Sequence, residues 1–387
     1  MKTAYLNIGE LAVMDGKADF LHHMGVLVEN GSITAISNSR EIEALLSNGD
    51  RRIDVQGRLV TPALVDSHTH ACFAGDRADE WERRAGGATY QEIAAMGGGI
   101  LSSVRSVRNA AEEELAKQTQ KHLRWMKNSG TGVVEVKSGY GLDLENELKM
   151  LRATRKALQD IPHRLTFLGA HAVPPEAESR SEYLETAIQM LPAMKGIADY
   201  ADMFVESGYF TPDDCRKYAK AVQASGLKLR LHVDQMEDGD GALLAAEVGA
   251  VSADHLEHTN ERGMIALAQA NVFAGLLPAS VYGLRLTKYP DARKMIDFGV
   301  RVVLATDFNP GSSPSPSLSF CMSLAVNQMG MTATEALRAC TITAAQSLDL
   351  EDRHGSIEVG KAAQLLQWDV ESHRELPYWV GARLLLG

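Results

Sequence analysis

From about residue 60 to residue 310, short β-branched or apolar runs alternate with longer stretches of helical composition, and this alternation constrains the fold more than any other feature. It marks a parallel sheet made of βα units. Eight strand-like runs can be counted: Leu59 to Asp66, Gly132 to Lys137, Arg164 to His171, Ala201 to Glu206, Leu227 to Asp234, Ser252 to Leu256, Val272 to Pro278 and Arg301 to Asp307. Between them lie helical stretches such as Ala110 to Lys127, Glu145 to Leu158, Glu182 to Leu191, Asp213 to Ala224, Gly241 to Val248 and Glu261 to Ala270. Eight such units in about 250 residues predict an α/β fold, a (β/α)8 TIM-like barrel with its chemistry at the C-terminal strand ends.

The flanks read differently. Gly25 to Ile36 has two apolar strands around Asn30-Gly31, a hairpin signal. Gly355 to Lys361 and Gln364 to Asp369 are again strand-like, and the two flanks can pair into one small sheet. A chain of 387 residues, 45% hydrophobic, suffices for one large domain and a smaller appendage.

Potential metal ligands fall at the predicted strand ends. His68 and His70 close the first strand, and residues i and i+2 of a strand share a face, so both imidazoles can reach one point. His171 closes the third strand, His232 the fifth, His255 the sixth and Asp307 the eighth, a placement that a random scatter of 12 histidines would not favour. Three neutral imidazoles and one carboxylate suit Zn²⁺ or iron with room for a water. The four cysteines lack Cys-x-x-Cys spacing and read as reduced, buried thiols, although Cys72, two residues after His70, is near enough in sequence to approach a metal. A net charge of −11 without a long basic run excludes nucleic acid and anionic membrane surfaces as partners. The N-terminus lacks the apolar core of a signal peptide, and no run approaches about 18 apolar residues, so a soluble cytoplasmic protein is expected.

This ligand pattern resembles the amidohydrolase superfamily of metal-dependent hydrolases. Further strings are similar to one branch of it: Phe73-Ala74-Gly75-Asp76-Arg77, Gly97-Gly98-Gly99-Ile100-Leu101-Ser102, Glu135 to Leu142, Phe167 to Pro174 and Ala305 to Ser312. The resemblance runs from about residue 25 to the end. It implies a composite β-sandwich domain from residues 1–58 and 345–387 around a barrel domain of residues 59–344. It also implies one Zn²⁺ or Fe³⁺ per subunit, held by His68, His70, His232 and Asp307, with His255 beside the reacting centre. The implied reaction opens the cyclic amide of 4-imidazolone-5-propanoate by attack of a water that the cation has acidified. Asp307 and His255 then carry the proton transfers and oxyanion stabilisation.

The implied substrate carries a carboxylate, for which a guanidinium is the best bidentate partner, and Arg77 matches the substrate-binding arginine. Tyr140, His171, Asn309, Gly311 and Ser312 match further substrate contacts, although each residue type alone is more often a packing group. Gln235 stands three residues after His232, where some relatives carry glutamate. An amide cannot be a general base, so where that glutamate serves as the base its work falls here to Asp307 or His255, and otherwise Gln235, counted with them among the catalytic candidates, only hydrogen-bonds the ring. Glu206, near the fourth strand end where dinuclear members place a bridging ligand, reads as structural, and Lys137 as an unmodified amine. Gly97-Gly98-Gly99 lacks the context of a phosphate loop and reads as a flap over the site. His22, His23, His122, His163, His258, His354 and His373 are expected in solvated helices or loops, with His258 closest to the site. A small-molecule substrate and a homodimer are the expected partners. Two other readings stand beside this one: an amidohydrolase of neutral cyclic amides or bases, which needs no carboxylate clamp, and a metal-binding barrel without catalysis.

Overall fold

The computed structural model describes residues 1–88, 92 and 97–386. The chain divides into two compact units, one of Met1–Ser67, Met126–Val133 and Ser317–Gly387, the other of His68–Trp125 and Val134–Pro316.

In the first unit, β1 (Lys2–Ala12), β2 (Phe20–Glu29) and β3 (Ser32–Asn38) form an antiparallel meander. Asn30 and Gly31 turn the β2–β3 hairpin at φ 51° and 75°, the left-handed pair that a two-residue primed turn requires. The register of β1 shifts between Tyr5 and Ile8, with Asn7 at φ 57°. The two ends of β1 therefore take different partners: Thr3–Leu6 pairs with β4 (Arg51–Asp54) and Glu10–Leu11 with β5 (Leu59–Pro62), both parallel. The C-terminal segment Leu365–Gln367 adds antiparallel to β5, so both chain flanks enter one six-stranded sheet. Ile8, Leu11, Val26, Ile33, Val60 and Ile357 form its main core cluster.

Eight parallel strands form the nearly closed barrel: β6 (Leu64–Asp66), β7 (Thr131–Lys137), β8 (His163–Ala170), β9 (Tyr200–Val205), β10 (Lys228–Val233), β11 (Ser252–His255), β12 (Phe273–Leu276) and β13 (Val302–Leu304). Spatial order follows chain order, and a parallel bridge between Thr69 and Phe308 brings the last strand back to the first. Helices return the chain between strands, and Asp143, Ser179, Thr211 and Asn260 start four of them by accepting a backbone N–H at the N-cap. Among the described residues no helix is long and apolar enough to cross a membrane.

Two sequence expectations are corrected. The run Leu59 to Asp66 is two strands, β5 in the terminal sheet and β6 in the barrel sheet. Both are fully buried, so no alternation of apolar and polar residues marks the change of partner. Gly355 to Lys361 is not a strand; Gly355 and Gly360, at φ 86° and 97°, turn the backbone out of the β region.

Candidate active site

Parallel strands put their C-terminal ends on one rim, and the candidate ligands converge there. His255 at φ 84° and Asp307 at φ 51° leave their strands through left-handed backbone, a conformation uncommon outside glycine and concentrated at functional sites.

The imidazoles of His68, His70 and His232 offer ligand atoms within 4.8 Å of one another, all buried. Oδ1 of Asp307 lies 3.4 Å from Nε2 of His70 and 3.7 Å from Nε2 of His68. Nδ1 of His68 is fixed on Oδ2 of Asp254 at 2.7 Å, and Nδ1 of His232 on Oδ1 of Asp202 at 3.0 Å. A carboxylate on Nδ1 holds the ring proton there and leaves the Nε2 lone pair for a metal. Nε2 of His68 is buried without a hydrogen-bond partner, an orphan that a cation would satisfy. Burial pushes the His68 and His70 imidazoles well below the ordinary histidine range, so both are neutral donors. The donor set fits one metal ion.

Strand alternation supplies the layer beneath. Glu135 and Lys137 share one face of β7, and Arg230 and His232 one face of β10. Nζ of Lys137 pairs with Glu135 at 2.8 Å and with Asp202 at 2.9 Å. Burial opposes the Lys137 charge, but the two carboxylates outweigh it and raise its pKa. Two buried carboxylates thus hold Lys137 in its charged form. Asp202 is held far below the usual carboxylate range against its own burial by His232 and Lys137. Asp254 packs against Gly275, where a Cβ would lie 2.2 Å from Oδ1.

Above the ligands, the rings of His171 and His70 stack at 5.2 Å, and Tyr140 lies 5.6 Å from His171. Burial lowers the His171 imidazole to about 3, and its Nδ1 meets the Gly139 carbonyl at 3.0 Å. Nδ1 of His255 lies 3.5 Å from Glu257; burial alone would lower its pKa, but the Glu257 charge raises it. Burial raises Asp307. Glu206 accepts the backbone N–H groups of Gln235 and Met236 at 2.9 and 3.0 Å, which makes it a loop anchor.

The loop after β13 is folded by Asn309, whose Oδ1 accepts from the Gly311 and Ser312 N–H groups at 2.8 Å each. Oγ of Ser312 reaches Oδ2 of Asp307 at 3.3 Å. Arg77 grips Glu80 through Nε and Nη2, at 2.8 and 2.7 Å. His70, Arg77, Tyr140, His171, His232, Gln235, His255, Asp307, Asn309, Gly311 and Ser312 line one cavity, with His68 buried behind it.

Glu80, Arg84, Phe204 and Tyr209 line the same cavity and escaped the sequence reading, as did Asp202 and Asp254 below it. The 77, 80, 84 spacing was a usable signal, being one face of a helix. Cys72 is the buried free thiol that the sequence reading favoured, not among the grouped histidines: its Sγ contacts the Met150 carbonyl at 3.5 Å, and burial raises its thiol to about 11. Several expectations fail here. His122, His354 and His373 are buried, and His22 and His23 lie in β2. His122 stacks on Phe73 at 4.0 Å, and His373 pairs with Glu10 at 2.7 Å; both find partners that offset burial. His258 approaches Lys288 at 3.2 Å rather than the ligands. Of the glycine run, Gly99 donates to Glu80 at 3.1 Å and starts a helix over Ile100–Asn109.

Comparison with known proteins gives a consistent picture. The Amidohydrolase family pattern matches residues 59–382. An imidazolonepropionase of Solibacter usitatus is 46% identical over 363 residues, 92% of this chain and 86% of the relative. One of Acinetobacter baumannii is 39% identical over 390 residues, 99% of this chain and 97% of the relative. The fold is similar to that of a 5-methylcytosine deaminase from Klebsiella pneumoniae, with a TM-score of 0.75 at 19% identity, covering 98% of this chain and 93% of the other.

Proposed function

We infer from one premise, that this chain belongs to the imidazolonepropionases of the amidohydrolase family, that its cavity hydrolyses the ring amide of 4-imidazolone-5-propanoate to N-formimidoyl-L-glutamate, a step of histidine degradation. The observation that carries the reading is the junction, in one cavity, of a His₃Asp constellation with a guanidinium, Arg77. A deaminase of neutral bases needs the first and not the second.

His68, His70, His232 and Asp307 would hold one Zn²⁺ or Fe³⁺, either of which suits these donors. Such an ion supplies an acidified water and polarises the substrate carbonyl. Arg77 binds the propanoate and so fixes the ring against the ligand rim. Tyr140 and His171, with Asn309, Gly311 and Ser312 opposite, complete the cradle, and neutral His171 packs on the ring without adding charge. Asp307 takes the proton of the attacking water as the C–O bond forms. His255, whose cationic form Glu257 favours against its burial, donates to the developing oxyanion. The proton held on Asp307 then passes to the ring nitrogen as the C–N bond breaks, so no net proton is gained or lost. Gln235 is assigned a hydrogen bond to the ring, since an amide has no basic lone pair to offer.

The test is a pair of variants assayed on this substrate. Asp307→Ala is expected to abolish turnover, and Arg77→Ala to cost about 2–4 kcal/mol in kcat/KM, mostly through KM. Normal turnover by Asp307→Ala removes the mechanism, and an unchanged KM in Arg77→Ala places the carboxylate elsewhere.

A further inference from the structure

We propose that Arg84 is a second carboxylate-binding residue of this cavity, acting with Arg77, and that Glu80 balances one of the two charges until the substrate carboxylate arrives. This rests on the reading of the substrate given above.

Arg77 is the N-cap of the helix Ala78–Ala85, and Glu80 and Arg84 follow at i+3 and i+7, so all three project from one face. All three line the cavity. The two guanidinium groups converge on one residue of the opposite loop. Nη2 of Arg84 donates to the Gly311 carbonyl at 3.0 Å, and a Cβ on Gly311 would lie 2.1 Å from Nη1 of Arg77. Burial, then the neighbouring Arg77 charge, lowers the Arg84 pKa, as expected for two cations held together out of bulk water.

The charges do not close. On this face of the helix, among the described residues, two guanidinium groups share one carboxylate, and that carboxylate is already committed: Oε2 of Glu80 takes Nε and Nη2 of Arg77, while Oε1 takes the Gly99 N–H at 3.1 Å. Glu80 is thus pinned from two sides, by Arg77 and by Gly99. The Arg84 guanidinium meets the Gly311 carbonyl and the Trp81 ring, 5.3 Å away, and feels the Glu80 charge only at longer range, without a hydrogen bond or ion pair to it among the described residues. One negative charge placed between the arginines brings the group to neutrality, and the substrate carries one carboxylate at the end remote from its ring. Nη1 of Arg77, left over from the Glu80 pair, and the Arg84 guanidinium would clamp it from two sides. Glu80 then has a defined role: it holds Arg77 in place and lowers the site's attraction for multiply charged anions.

The experiment measures binding of two non-reacting probes, imidazole-4-propanoate and its uncharged counterpart 4-ethylimidazole, to the metal-loaded parent protein and to Arg77→Met, Arg84→Met and Glu80→Gln. Circular dichroism and metal content confirm each variant's fold. Arg84→Met is expected to weaken the carboxylate probe about tenfold or more with 4-ethylimidazole unchanged, and Glu80→Gln to tighten the carboxylate probe. Equal affinity of Arg84→Met and parent for the carboxylate probe overturns the proposal, as does weaker carboxylate binding by Glu80→Gln. If Arg84→Met fails to fold, Arg84→Lys replaces it, and loss of the fork geometry is expected to show the same probe-selective weakening. The reading beneath is judged separately: loss of probe discrimination in Arg77→Met alone leaves it standing without Arg84, whereas a parent that does not distinguish the probes removes both.

Discussion

Replacing Asp254 by asparagine perturbs the metal centre without touching a ligand. The Asp254 carboxylate takes the Nδ1 proton of His68 at 2.7 Å, and His68 offers its orphaned Nε2 to the cation. An asparagine of the same size either accepts that proton as a neutral group or turns its amine toward Nδ1. The second arrangement drives the ring proton to Nε2 and blocks the lone pair. A hydrogen bond to a charged partner is worth about 1.5–3 kcal/mol and a neutral one about 0.5–1.5, so the change costs about 1–1.5 kcal/mol of ligand orientation. That corresponds to roughly five- to tenfold in metal affinity, at the lower edge of the ten- to hundredfold usual for such outer carboxylates. The assay is competition of the protein with a chelator of known affinity, followed by elemental analysis. Asp254→Asn is expected to lose metal at a chelator concentration about tenfold lower than the parent, and to recover most of its kcat when metal is restored. Identical chelator curves would refute the claim that Asp254 sets the His68 tautomer.

Two further outcomes follow from other parts of the chain. Gly311→Ala places a Cβ against Nη1 of Arg77, so the guanidinium must shift, and KM is expected to rise about tenfold with kcat little changed; steady-state kinetics decide it. In the terminal unit, burial would raise the Glu10 carboxyl, but hydrogen bonds from the His373 backbone N–H and ring outweigh it, and the pKa falls below the ordinary 4.5. Its stabilisation is therefore complete above pH 4.5 and lost as the pH falls through the folded value. Glu10→Gln is expected to cost about 1 kcal/mol at pH 7, and the deficit relative to the parent in thermal unfolding is expected to shrink progressively as the pH falls below 4.5. A deficit constant over this pH range would mean the charge on Glu10 contributes nothing.

The barrel and its candidate ligands were legible because they follow backbone periodicity. His68 and His70 share a strand face, and His232, His255 and Asp307 stand where apolar runs stop. What stayed hidden depends on tertiary partners. Asp202 and Asp254 sit inside apolar strands, where a carboxylate reads as an exposed residue unless its imidazole partner on the next strand is known. His122 and His373 read as solvated for the same reason, since Phe73 and Glu10 are distant from them in sequence. Leu59 to Asp66 concealed a change of sheet because burial on both sides erases alternation. Arg84 was overlooked although its spacing from Arg77 and Glu80 is helical, because its meaning comes from Gly311, which the fold brings from the opposite side of the cavity.

The central claim is that this cavity opens the ring of a carboxylate-bearing imidazolone with the help of one bound metal. The most direct test supplies freshly generated 4-imidazolone-5-propanoate to the purified protein and follows loss of its ultraviolet absorbance with and without a chelator. The account predicts loss of absorbance with formation of N-formimidoyl-L-glutamate, abolished by the chelator and restored by added metal. An inert substrate in the presence of protein holding stoichiometric metal would contradict it.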